Sequence, residues 1–213
     1  MRETLTRSDV EAALRKQAQD LTAQADALRE LDAAIGDGDL GITVTIGFQA
    51  LCEALPGLEG ADVSTLLMRA GMAFNRKAAS TFGALYATMM MRAARVAKGT
   101  EIIGGSEFGG MLSAAVEGVQ ERGKAQRGDK TMLDALIPAA EAAMAAVDAG
   151  ASLAEAAGRA ADAAEEGARA TVGMKSRTGR ASWFSERTEG VQDPGATAVS
   201  LMLRSFQEFV AAD

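Results

Sequence analysis

Apolar residues recur at helical spacing along most of this chain, and no segment alternates apolar and polar residues for the length of a strand. Alanine, leucine and methionine dominate these stretches, and all three are strong helix formers. The pattern predicts an all-α fold. A first helix is expected from Ser8, where Ser8 and Glu11 form a capping-box pattern, to about Ala34. A second runs from Ile42 to Leu55, stopped by Pro56-Gly57, and a third from Val63 to Lys77. A fourth spans about Gly83 to Lys98 and a fifth Glu107 to Arg122. The sixth follows Asp129 and ends near Gly150, the seventh opens on a Ser152–Glu155 box and reaches Val172, and the last covers Ala196 to Ala212. Eight helices joined by mostly short connections predict an antiparallel bundle in a single domain, residues 1–213.

The chain contains no histidine. This excludes a Ser–His–Asp triad, a histidine-ligated zinc site and a phosphohistidine intermediate. Acid–base work would fall to tuned carboxylates or lysines, or the chemistry would rest on metal and positioning. A net charge of −7 argues against non-specific nucleic-acid binding. No apolar run approaches the ~20 residues of a membrane span, and Met1-Arg2-Glu3-Thr4 does not open a signal peptide. The single cysteine, Cys52, excludes an internal disulfide and reads as a buried thiol in a cytoplasmic protein.

The densest chemistry lies in Leu31-Asp32-Ala33-Ala34-Ile35-Gly36-Asp37-Gly38-Asp39-Leu40-Gly41. Three aspartates within eight positions repel one another unless a cation sits between them, and carboxylate oxygens suit hard ions such as Mg²⁺. The spacing is not that of an EF-hand, whose later ligand positions would fall on Gly41 and Phe48. A helix starts at once after the acidic run, so a metal there would adjoin amides able to hold a phosphate. Thr43 could offer its hydroxyl to that phosphate or cap the helix. Ala79-Ser80-Thr81-Phe82-Gly83 reads first as N-cap material, and it is also the composition of a phosphate-cradling turn. Before the sixth helix, Gly123 reads as a helix stop and Asp129 as an N-cap. That leaves Lys130 in a first turn, where the helix dipole disfavours a cation. The connection from Gly173 to Gly195 is long, and carries Trp183, Phe184, Lys175, Arg177, Arg180 and Arg187. It reads as a basic, aromatic lid over an anion, with Arg180 able to clamp a phosphate and Asp193-Pro194-Gly195 turning into the last helix.

Together these motifs resemble the nucleotide-binding (L) subunit of bacterial dihydroxyacetone kinases, equivalent to the C-terminal domain of the single-chain enzymes. The matching pieces are Leu31 to Asp39, Gly123-Lys-Ala through Gly128-Asp-Lys-Thr-Met132, and Gly179-Arg-Ala-Ser182 through Gln192-Asp-Pro-Gly-Ala-Thr197. The resemblance implies an eight-helix barrel with ADP or ATP and two Mg²⁺ ions at one end. It implies that Asp32, Asp37 and Asp39 hold the metals, and that Leu40, Gly41, Ile42 and Thr43, with Ser80, Thr81 and Phe82, contact phosphate. Gly123 and Met132 would meet adenine and ribose, with Arg180, Asp193, Pro194 and Gly195 closing the site. The ketose would sit on a partner subunit, bound through that partner's histidine. This chain, having no histidine, is neither that partner nor the phosphohistidine subunit of systems driven by phosphoenolpyruvate. A homodimer is left open.

Three departures mark the chain as a divergent branch. Leu40 stands where the family usually has histidine, Ala79-Ser80-Thr81-Phe82-Gly83 replaces a glycine-rich run, and Val191 replaces a second histidine. The expected activity is phosphoryl transfer to dihydroxyacetone or a related triose or tetrulose. The alternative is a non-catalytic, nucleotide-bound regulatory module.

Overall fold

A computed structural model of the chain describes residues 1–178 and 185–212. Its helices are α1 (Arg7–Ala23), α2 (Ala25–Ile35), α3 (Leu40–Ala54), α4 (Val63–Lys77), α5 (Thr81–Val96), α6 (Gly105–Gly123), α7 (Leu133–Asp148), α8 (Leu153–Ala170), the single turn α9 (Ser185–Thr188), and α10 (Pro194–Ala211). Two short strands, β1 (Leu5–Thr6) and β2 (Ile102–Ile103), pair antiparallel.

The first expected helix is two. Gln24 breaks it, with φ −98° and ψ 7°, and its N–H reaches back to the carbonyls of Leu21 and Thr22. The opening cap also lies two residues earlier than expected: Thr6 and Asp9, not Ser8 and Glu11, form the capping box. The Ser152–Glu155 box is present as read.

Each long helix packs against its chain neighbours from α3 through α8; α8 then meets α10, α10 meets α1, and α1 and α2 meet α3, closing a ring. Because α1 and α2 share one stave, the ring has the eight staves expected from sequence. Ring neighbours joined by short connections run antiparallel. Alternate connections therefore share an end. Segments 36–39, 78–80, 124–132, 171–178 and 185–193 lie at one end, and segments 55–62, 97–104 and 149–152, with the start of α1 and the end of α10, lie at the other. Contacts at that second end agree: β1 pairs with β2, and the Arg2 N–H donates to the Val210 carbonyl at 2.9 Å.

Alanines on α7 and α8 are fully buried and let those helices approach closely. Gly167 of α8 lies directly over the Asp134 carbonyl, where a Cβ would collide with backbone. That carbonyl lacks its usual helical donor, because Pro138 has no N–H. Towards the first end the core is aromatic: the Phe48 and Phe74 rings meet edge-on at 5.1 Å, and Tyr86 lies 4.4 Å from Phe74. Such pairs add ~0.5–1.5 kcal/mol each beyond burial. Leu40–Leu58 is long and apolar enough to cross a membrane, which corrects the sequence reading, but half of it is buried and it forms the core stave α3. Cys52 is half-buried rather than buried, and burial raises its thiol above the ordinary range.

Candidate functional site

The end carrying segments 36–39, 78–80, 124–132, 171–178 and 185–193 gathers the described candidate residues. Asp32 sits on the last turn of α2, half-buried; Asp37 and Asp39 are exposed. One carboxylate oxygen from each lies within 4.8 Å of the other two. Three features hold this geometry. The Gly36 N–H bonds the Asp32 carbonyl at 2.5 Å, and a Cβ on Gly36 would stand 2.5 Å from Asp32 Oδ1. Gly38 takes φ +74°, a conformation that favours glycine. Gly41 lets α3 press against the Ala25 carbonyl of α2, where any side chain would meet backbone.

Asp32 Oδ2 accepts the Leu40 N–H at 3.1 Å, so one carboxylate already engages the start of α3. Asp39 is the N-cap of α3, but its side chain makes no capping bond. Burial and then the neighbouring charge of Asp32 raise the Asp39 carboxyl above the usual range. An all-oxygen donor set whose members repel one another fits a hard divalent cation.

The side chains of the next residues point elsewhere. Leu40 is 5% exposed and in the core. Thr43 is buried inside α3, one turn past the cap, so it does not cap the helix as one reading allowed. Ile42 is 57% exposed and lines a shallow groove with Ala25, Asp26, Arg29, Thr45 and Ile46. What these positions offer towards the aspartate loop is backbone N–H.

At the next connection Ser80 is the N-cap of α5, its hydroxyl accepting the Gly83 N–H at 3.0 Å. The first N–H groups of a helix have no partner within it, which here means Thr81 and Phe82. The Phe82 ring stacks 6.5 Å from Tyr86 and belongs to the aromatic core.

The third connection differs from expectation. Gly123 is the last residue of α6, beside Leu85 of α5, and it is Lys124 that takes the left-handed conformation at φ 54°. Asp129 does not cap α7. Its carboxylate accepts the Gln126 N–H at 2.8 Å, closing a turn, and its carbonyl accepts the Arg177 N–H at 3.1 Å. The group organising the turn is Asp134, 2% exposed, which accepts the N–H of Gly128 at 2.6 Å and of Thr131 at 2.7 Å. Lys130 is not in a first turn either. It lies before α7 at φ 60°, 2% exposed, with its ammonium on the carbonyls of Met174, Thr188 and Val191. Burial lowers the Lys130 ammonium below its ordinary range, against the opposing charges of Asp193 and Glu189. Asp134 was missed as a functional candidate, since an acid one residue into α7 looks like ordinary surface charge; Lys130 stood out in the sequence only for its place against the helix dipole.

Met132, the N-cap residue of α7, is 4% exposed and meets the start of α10: a Cβ on Gly195 would lie 3.4 Å from the Met132 Cβ. Asp193 caps α10, accepting the Ala196 N–H at 2.7 Å, with Pro194 in the first helical position. The Asp193 N–H donates to Thr171 Oγ1 at 2.8 Å. Burial first, and the nearby Asp134 charge, raise the Asp193 carboxyl to about 7, against its N–H bonds and Lys130. The structure thus brings Met132 beside Asp193–Gly195, residues that the resemblance assigns to one site. Within the fourth connection, the exposed Lys175 pairs with Glu186 at 2.7 Å. Arg180, with Gly179, Ala181, Ser182, Trp183 and Phe184, lies outside the described residues, as does the side chain of Arg187.

A DAK2 domain model matches residues 34–208. The chain belongs to the DAK2 domain family. Over 183 residues it is 33% identical to the ADP-binding subunit DhaL of the PEP-dependent dihydroxyacetone kinase of Escherichia coli (strain K12), covering 86% of this chain and 87% of that protein. Over 182 residues it is 34% identical to human triokinase/FMN cyclase, but spans only 31% of that protein. The fold superposes with a TM-score of 0.71 on the dihydroxyacetone kinase of C. freundii in complex with AMP-PNP and Mg²⁺, covering 93% of this chain and 33% of that one at 24% identity. That likeness speaks for the helical fold. These DAK2 relatives are named as kinases or kinase subunits, so the chain is a kinase-family protein.

Proposed function

We propose that the chain is the Mg²⁺–nucleotide subunit of a dihydroxyacetone-type kinase, handing a phosphoryl group to a short ketose held on a partner subunit. The observation that carries this is the Asp32–Asp37–Asp39 cluster, with oxygens within 4.8 Å, at the opening of α3. The DAK2 relationship supports it, since the E. coli relative is named an ADP-binding subunit.

The three carboxylates would hold Mg²⁺. Bound there, the metal would neutralise charge on the nucleotide phosphates as the phosphoryl group moves. The protein's own part is positioning. The N–H groups of Gly41 and Ile42 at the start of α3, and of Thr81 and Phe82 at the start of α5, would receive phosphate oxygens, replacing side-chain contacts that Leu40 cannot make. Gly123, Met132 and the Asp193–Gly195 turn would bound the base and ribose, and Arg180 would add positive charge from its connection. The ketose hydroxyl would be activated on the partner, which carries the substrate-binding histidine, so this chain needs no general base. A phosphoenolpyruvate-driven relay through a phosphohistidine subunit and direct use of ATP are both compatible with the site.

Replacing Asp37 by alanine tests the metal assignment: Mg²⁺-dependent ADP binding should vanish in calorimetry while the helical circular dichroism spectrum survives. Unchanged ADP affinity would overturn it. A regulatory reading rests on one observation, the burial of Leu40 where the family usually places histidine. Incubating the chain with its partner subunit, ATP and dihydroxyacetone or erythrulose separates the two, since ADP release excludes a purely regulatory role.

A further inference from the structure

Lys130 has features that an ordinary structural lysine does not combine. It is 2% exposed, among the largest fully buried side chains. Its backbone holds φ 60°, a left-handed conformation that non-glycine residues avoid. Its ammonium has three N–H groups, and the structure supplies three acceptors, all backbone carbonyls: Met174 at 3.0 Å, Val191 at 2.6 Å, and Thr188. A lysine that only neutralised an acid would sit against a carboxylate; this one reads the backbone.

The acceptors span the connection between α8 and α10. Met174 follows α8, Thr188 ends α9, and Val191 lies two residues before the Asp193 cap of α10. Lys130 itself lies two residues before Met132. Its own turn is stiff, since Asp134 accepts the Gly128 and Thr131 N–H groups and Asp129 accepts that of Gln126. The connection adds secondary ties, with Arg177 N–H on the Asp129 carbonyl, Ser176 N–H on Thr188 Oγ1, and Gly190 N–H on the Val172 carbonyl. One buried cation thus sits where three chain segments converge.

We infer that Lys130 is a positioning residue for nucleotide recognition. Its bonds to the Met174, Thr188 and Val191 carbonyls fix the Asp193–Gly195 turn against Met132 and so shape the base end of the site without touching ligand. This rests on the nucleotide-binding reading above. Removing the ammonium takes a donor from the Met174, Thr188 and Val191 carbonyls, of which Thr188 keeps the Val191 N–H at 3.4 Å, and the 128–132 turn and the 174–191 connection separate locally while the ring of helices stays closed. The phosphate end, built from α2, α3 and the start of α5, shares no hydrogen bond with Lys130 and would be spared.

The test compares two probes, Mg²⁺–ADP and Mg²⁺–pyrophosphate, by calorimetry on the full chain and on Lys130→Met, which keeps side-chain length and loses the donors. The inference expects ADP to bind about tenfold weaker or worse, with pyrophosphate affinity unchanged. Equal weakening of both probes would mean a general structural role and overturn it, as would unchanged ADP affinity. Amide exchange on the wild-type chain gives a reading that needs no variant, should Lys130→Met not fold. Mg²⁺–ADP should slow exchange at Ser176, Arg177 and Gly190, and Mg²⁺–pyrophosphate should not; no slowing by ADP would overturn the inference. A wild-type chain that binds neither probe refutes the nucleotide reading itself, a result distinct from either failure above.

Discussion

Gly36→Ala separates the aspartate loop's geometry from its fold. A Cβ at position 36 would stand 2.5 Å from Asp32 Oδ1, against about 3.3 Å for a comfortable carbon–oxygen contact. The carboxylate must therefore retreat by about 0.8 Å; this nearer obstacle is the end of a flexible side chain, and the Asp32 carbonyl oxygen at 3.1 Å is only slightly too close. Turning that side chain off its rotamer costs about 1 kcal/mol. Weakening its 3.1 Å bond to the Leu40 N–H adds a comparable amount, so total destabilisation should be ~1–2 kcal/mol. For a chain of this size that lowers Tm by roughly 2–8 °C. The functional loss should be larger in proportion. A ligating oxygen held away from its two partners should weaken Mg²⁺-dependent ADP binding ~10–100-fold, the range seen when groups that orient metal ligands are removed. Calorimetry of Mg²⁺–ADP binding and a thermal melt on the same sample read both quantities. A variant with the expected Tm drop and wild-type Mg²⁺–ADP affinity would show that Asp32 does not ligate the metal.

Three other outcomes follow from packing and charge. Gly41→Ala and Gly167→Ala each drive a methyl group into a facing backbone carbonyl, of Ala25 and Asp134 respectively, and should each cost ~2–3 kcal/mol in urea denaturation; near-neutral values would mean the helix pairs are not in contact there. Asp193 carries a folded-state pKa of about 7, above its ordinary 3.8, so the folded chain holds this proton more tightly than the unfolded one. Its contribution therefore favours folding below pH ~4 and is lost as pH rises towards 7, and Asp193→Asn should flatten that part of the stability–pH curve; an unchanged slope would assign it to other groups. Asp134→Asn exchanges one N–H acceptor for a donor beneath the 128–131 turn, and should destabilise by ~1–3 kcal/mol with loss of amide protection at Gly128 and Thr131; retained protection at both would refute its organising role.

The eight-stave ring could be read from the sequence because its signals are local. Ser152 with Glu155 and Pro56-Gly57 each act within a turn or two of the residue that shows them, whereas Pro194, read as part of a turn, opens α10 two residues before the expected start at Ala196. The break at Gln24 could not. Nothing in Ala23-Gln24-Ala25 disfavours a helix, and the division follows from tertiary demands: α1 packs on α3 and α10, while α2 must bring Ala25 close to Gly41 and deliver Asp32 to the loop. The Thr6 cap was displaced for a related reason, since Leu5–Thr6 is also held by pairing with Ile102–Ile103, in the register Leu5 to Ile103, far away in the sequence.

The two halves of the candidate site differ in legibility because they are built differently. The acidic half is compact in sequence: three carboxylates and the glycines at 36, 38 and 41 fall within ten positions, so composition alone announces the geometry. The other half is assembled across the chain. Met132 meets Gly195, Asp129 holds Arg177, and Lys130 gathers carbonyls from 174, 188 and 191. Backbone carbonyls carry no signature in a sequence, so a lysine whose partners are all carbonyls looks like a misplaced surface charge. Its position against the helix dipole was the one available clue, and the resolution is that the helix begins three residues later, at Leu133. A residue that breaks a local rule is thus a place to seek a long-range partner, and here the partner is the connection that carries the Asp193–Gly195 turn.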